Sequence, residues 1–265
     1  PGVVVGGIAA NLGTLSEAIY ATIVTRPVIK EQFESKTALE AETVEPELNY
    51  RDLIQFHTPL FLSSLIFFLT RPLVSAGLAR TPNATQSLAA WPVLLGLLAI
   101  VRAPVIAYPS VVVALADRQN ANVKLRNFGV LVGVTAAVIF ALVAFTPLRM
   151  IYFRTLMGVS DELTQIAISG AVFALALPII GSYTAYIRGI LTNKKFTMAL
   201  TLATLASILS MALVLVIGIS QNAPGVPLGA AATVVSYIAE MIVMVFAHRW
   251  LNRKEKRSST TVKTA

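Results

Sequence analysis

Residues 88–116, LAAWPVLLGLLAIVRAPVIAYPSVVVALA, run for 29 residues with a single charge, Arg102, at the centre. A helix rises about 1.5 Å per residue, so roughly 20 apolar residues cross the ~30 Å hydrocarbon core of a bilayer. This segment has length left over to tilt, or to bend at Pro104 and Pro109. An arginine at mid-membrane costs about 3 kcal/mol on insertion scales, and it is tolerated where it faces a bundle interior, a partner or a water-filled path. Arg102 therefore requires other helices around it.

The rest of the chain supplies them. Of 265 residues 56% are hydrophobic and only 13% charged, which excludes an ordinary soluble domain. Hydropathy predicts seven spans at about 2–24, 53–78, 88–116, 127–146, 164–187, 197–219 and 226–248, an all-α polytopic transmembrane bundle. The net charge of +8 does not indicate nucleic acid as a partner, because most bases lie in short loops where they set orientation. Sixteen Lys or Arg fall in loops 26–52, 117–126 and 188–195 and in the tail from Arg249, against three in the opposite loops, Arg80, Arg149 and Arg154. The positive-inside rule then places the tail, with Arg253, Lys254, Lys256 and Arg257, in the cytoplasm of a cell membrane protein, and the first residue outside. Loop 26–52 mixes seven acids with Lys30, Lys36 and Arg51 beyond its opening Arg26, and reads as a solvated cytoplasmic linker. Residues 147–165 are amphipathic and predict a helix lying at the outer interface.

Setting the first span on the last with an offset of 223 aligns Gly6 with Gly229, Ala9 with Ala232, Glu17 with Glu240, Ile19 with Ile242 and Arg26 with Arg249. The acid carries weight. In each copy it stands nine residues, about 13 Å, before a cytoplasmic-end arginine in an otherwise uncharged span. An even number of spans between the copies makes this a parallel repeat, as in several transporter folds. With a six-span unit, residues 1–25 are the last helix of an N-terminal bundle whose remainder is missing, 26–52 the linker, 53–248 a complete six-helix bundle and 249–265 a basic tail.

Within the second span His57, Ser64 and Arg71 recur every seven residues on one helix face. Arg71 precedes Pro72, which frees backbone groups and marks bends beside cavities. Two readings stand for it: a positive seam facing a cavity, or snorkelling toward the outer surface. Glu17 and Glu240 either neutralise the two arginines structurally or couple a proton or cation. His57, near the cytoplasmic end, reads as an interfacial residue, with a proton relay as the other reading. In the fifth span Pro178 and Gly181 interrupt the helix, and Ser182, Tyr183, Thr184 and Tyr186 offer hydroxyls before Arg188, suited to a path or to helix contacts. Cysteine is absent, and His57 and His248 sit on different spans with no acid at ligand spacing. No catalytic constellation, metal site or cofactor site is read, and the chain is not expected to be an enzyme.

The segments FHTPLFLSSLIFFLTRPLVSAGLAR, RAPVIAYPSVVVAL, FTPLRMIYFRTLMGVSDEL and ALPIIGSYTAYIRGILTNKKF, with a last span bearing Glu240, resemble the C-terminal half of MATE-like transporters of the multidrug/oligosaccharidyl-lipid/polysaccharide exporter superfamily. The most similar branch is progressive ankylosis. The resemblance covers about 1–257 and implies two six-helix bundles around a central cavity, working by alternating access. In that branch it implies small anionic substrates such as pyrophosphate, citrate or nucleotides; other members export cationic drugs with Na⁺ or H⁺, or flip lipid-linked sugars. The expected function is a secondary-active transporter exporting a small anionic solute, with Arg71, Arg102, Ser64 and Tyr108 as substrate contacts, Glu17 and Glu240 as coupling groups or counterions, and membrane lipid and the missing bundle as partners. The alternatives are a flippase for an anionic lipid-linked substrate and a cation-coupled multidrug exporter.

Overall fold

In hydrocarbon every backbone N–H and C=O must find its partner internally, and an α-helix meets that demand within one segment. The computed structural model describes residues 2–39, 50–118 and 121–263, which are almost wholly helical and include no strand. Residues 40–49 of the expected linker and 264–265 of the tail lie outside the described residues. The chain divides into two compact units, Pro1–Asp52 and Leu53–Ala265.

The first unit is α1 (Gly2–Leu39), a single helix that continues through Pro27. Residues 26–39, expected as a solvated linker, are thus helical; Lys, Glu, Ala and Leu there are all good helix formers. The expected spans 53–78 to 226–248 all fall in the second unit.

The second unit contains α2 (Tyr50–Phe68, from Leu53 on), α3 (Thr70–Leu78), α4 (Ala84–Leu115), α5 (Ala121–Phe145), a π-helical turn (Met150–Leu156), α6 (Asp161–Ala174), α7 (Leu177–Asn193), α8 (Thr197–Ser220) and α9 (Gly225–Lys263). Five segments are long and apolar enough to cross a bilayer, and six if α6 and α7, bent by 45°, make one span. That bend falls at Leu175–Ala176. Pro178 then sits in the first turn of α7, where its missing N–H would have no helical partner, while Gly181 lies inside a continuous helix. The interruption at Leu69 has a related origin, because Pro72 cannot donate to the Phe68 carbonyl and α2 ends there. Pro104 and Pro109 are absorbed within α4. The interfacial helix expected at 147–165 is instead the short π-turn followed by α6, whose N-cap Ser160 accepts from the Leu163 N–H at 3.4 Å.

Packing forms two apolar cores. One joins Leu78, Trp91, Leu94, Phe140, Phe153, Leu177, Leu215 and Val226; the other joins Tyr108, Val112, Leu125, Ile187, Leu191, Leu200 and Met244. Helices approach closely in the second, where the α-carbon of Gly189 lies so near Val112 and the Pro109 carbonyl that a Cβ would stand 2.5 Å from the valine. On three helices the passage from one core to the other occurs at polar or small residues, Gly181 to Thr184 on α7, Thr204 and Ser207 on α8, and Ser236 to Glu240 on α9, while on α4 Arg102 lies just before the passage, between Val101 and Val105 of the first core. A polar layer therefore crosses the bundle between two oily ends.

Candidate functional site

In that layer lies a cavity of about 400 Å³ lined from five helices. Three of them turn the same helical stripe toward it, at spacings i, i+3, i+4 and i+7. These are Leu60, Ser63, Ser64 and Phe67 on α2, Arg102, Val105, Ile106 and Pro109 on α4, and Gly181, Thr184, Ala185 and Arg188 on α7. Thr204 of α8 and the one-turn pair Tyr237 and Glu240 of α9 complete the wall, with Phe68 of α2 at the rim. The hydroxyl of Thr201 donates to the Pro59 carbonyl at 2.8 Å, and Ser63 Oγ lies 3.1 Å from it, which ties α2 to α8 beside the cavity.

Two cations and one anion are in this wall. Arg188 is paired with Glu240, which is 6% exposed. Arg102 has no acid partner among the described residues, and its buried Nε makes no hydrogen bond. Its guanidinium instead lies over the Tyr237 ring, 4.7 Å from the centroid. A cation–π contact of this kind contributes about 0.5–2 kcal/mol and leaves the outward N–H groups available. Gly181 makes the position accessible: a Cβ there would stand 2.9 Å from Arg102 Nη2. With two arginines against one glutamate, the lining carries one net positive charge.

The residues expected at a site are separated by the fold. Arg102 and Ser64 line the cavity, Ser64 with its hydroxyl donating to the Leu60 carbonyl at 3.0 Å. Arg71 is exposed on α3 and is not part of the wall. Tyr108 points elsewhere, because its hydroxyl donates to the Leu125 carbonyl of α5 and its ring packs on Gly129. Glu17 is exposed on α1, in the first unit. Glu240 neutralises neither Arg71 nor Arg102, since its partner is Arg188. Ser182 is also structural, bonded to the Gly129 carbonyl, whereas Thr184 reaches the cavity. His57 is exposed on α2 and outside the lining.

Sequence reasoning missed Arg188 and Tyr237. Arg188 resembles a loop charge because it precedes Lys194 and Lys195, yet α7 continues to Asn193 and keeps it within the helix. The available signal was its seven-residue spacing from Gly181. Tyr237 was readable as the residue one turn before Glu240. Among the described residues no group of His, Asp and Glu could hold a metal ion.

Residues 42–242 match the family model described as progressive ankylosis protein (ANKH). No curated protein and no solved structure matches the chain.

Proposed function

Because the chain belongs to the progressive ankylosis protein family, we propose that it is a secondary-active membrane transporter, not an enzyme, and that Arg102 is the group its small anionic substrate meets. The observation that carries this is a guanidinium in a cavity inside an apolar bundle, with a buried Nε and no acid partner among the described residues. A cation there is unfavourable alone and becomes favourable when a negative ligand shares the space: opposite charges 4 Å apart attract by about 4 kcal/mol at an effective dielectric of 20. Small anions such as pyrophosphate or citrate, which the resemblance to the progressive ankylosis branch implies, are the substrates proposed.

The mechanism proposed is MATE-like alternating access between paired six-helix bundles, driven by Na⁺ or H⁺, with export as its direction. The parallel repeat that sets Glu17 on Glu240 supports the pairing of bundles. The distribution of bases supports a plasma-membrane protein with a cytoplasmic C-terminus. In proteoliposomes, Arg102→Ala is expected to lower pyrophosphate or citrate uptake by about tenfold or more at equal protein content. Unchanged uptake would remove Arg102 from the mechanism.

A second reading is a flippase for an anionic lipid. It is favoured by the cavity's apolar rim, where Phe67, Phe68 and Ile106 are 51%, 72% and 65% exposed. Scrambling of a fluorescent anionic lipid that depends on Arg102, without soluble anion uptake, would select it.

A further inference from the structure

At the helix ends remote from the basic tail, two hollows meet at the first turn of α9. One, of about 200 Å³, lies between that turn, the α3–α4 turn and α6; the other, of about 490 Å³, lies between α9, α8 and α6. Pro224 and Pro227 line both, and the α6 stripe Ile166, Ser169 and Phe173 passes from the first to the second at spacings i, i+3 and i+7. Their chemistry is opposite. The smaller is lined by Asn83, Asn222, Ser87 and Ser169 and by no charged residue. The first turn of α9 adds Gly225 and Val226, whose N–H groups have no acceptor within the helix and carry its positive end. Ser87 is 3% exposed, and its hydroxyl has no hydrogen-bond partner among the described residues. It lies against Gly225, where a Cβ would stand 2.5 Å from it. Thr81, beside the same glycine, is satisfied by donating to the Leu78 carbonyl at 2.7 Å. A buried hydroxyl left open beside a helix N-terminus calls for an anionic acceptor.

The larger hollow is apolar apart from Gln221, with Phe173, Val214, Ile217, Leu228 and Ala231 in its wall. Phe173 and Ile217 are 48% and 46% exposed there. From Pro224 to Ala231 the trough descends about 10 Å along α9, and α8 and α9 are both long and apolar enough to cross hydrocarbon. Pro227 has no N–H, so the turn shared by the two hollows offers no unpaired donor to the oil at that position. Donors at the helix ends and an apolar trough below them match a phosphodiester with an acyl chain attached. We infer that this groove holds one membrane phospholipid, its phosphate at Ser87 and the first turn of α9, and one acyl chain along Phe173, Val214, Ile217 and Ala231. Because no lining residue is charged, the groove recognises phosphate and chain and is indifferent to the head group's net charge. It shares no lining residue with the Arg102 cavity and is independent of the function proposed there.

The test is photolabelling of the purified full chain in detergent by a trace of phosphatidylcholine carrying a diazirine midway along one acyl chain, followed by peptide mapping. Label is expected on the segments around Phe173, Ile217 and Ala231, and a roughly hundredfold excess of unlabelled phosphatidylcholine or phosphatidylglycerol should remove most of it. Dioleoylglycerol, which has chains without phosphate, and glycerophosphocholine, which has phosphate without chains, should each leave it in place. Asn222→Asp sets a carboxylate beside the phosphate, in an exposed turn whose positive φ aspartate tolerates, and should lower the labelling by about fivefold. Ala231→Phe fills the trough and should lower it as well. Where a variant fails to fold, the competitors decide the matter on the wild type. Competition by dioleoylglycerol or glycerophosphocholine equal to that by phospholipid, or labelling indifferent to both folded variants, overturns the inference. Absence of label from these segments overturns it too, and a dimeric chain would then identify a second copy as what fills the trough.

Discussion

A guanidinium keeps its charge at any pH a cell reaches, so geometry alone must make Arg102 tolerable inside a bundle. Two neighbours do this. Tyr237 offers the face of its ring, and Gly181 offers the absence of a side chain. The atom nearest the missing Cβ is the far end of a flexible arginine, which moves more easily than a helix does. Gly181→Ala is therefore expected to displace the guanidinium while leaving the fold intact, since alanine favours a helix by about 1 kcal/mol over glycine. The measurement is uptake kinetics beside thermal unfolding. A several-fold higher KM with an equal or higher Tm is the expected result, and an unchanged KM would mean that Arg102's position on Gly181 has no bearing on the substrate.

Between helices, the residues that bear most on assembly are those that reach across to a neighbour. Tyr108 joins α4 to α5 through the Leu125 carbonyl, outside the cavity wall, and that placement carries a test. Tyr108→Phe is expected to lower stability by about 1 kcal/mol, a buried carbonyl losing its donor, with transport per folded molecule unchanged. A selective loss of transport would return Tyr108 to the site. The same residue illustrates what the chain discloses about itself. That α4, α5, α8 and α9 cross a membrane is legible because each carries about 20 apolar residues in sequence. That Arg102 is exceptional is legible because nothing charged surrounds it. Which acid belongs to which arginine is not legible: Glu240 meets Arg188, not Arg102, through the lateral placement of α7 and α9, and no single helix's period records its neighbour. Arg71 illustrates the same limit, as the seven-residue rhythm that groups it with His57 and Ser64 is broken at Leu69, where α2 ends and α3 begins.

For the Leu53–Ala265 unit as a whole, two apolar cores enclose a polar layer, and the cavity is the part of that layer the side chains do not fill. The stability of such a layer depends on what enters it. An anion that binds the folded bundle and not the unfolded chain stabilises it by mass action, by about 2.7 kcal/mol at a hundredfold excess over its Kd. An arrangement with Arg102 as anchor makes that stabilisation depend on one side chain. The most direct measurement is the thermal unfolding of the purified full chain in detergent across a titration of pyrophosphate, for the wild type and Arg102→Ala at equal ionic strength. The wild type is expected to gain several degrees, saturating with ligand, while Arg102→Ala gains none; equal gains in both, or none in the wild type, would contradict an anion site built on Arg102.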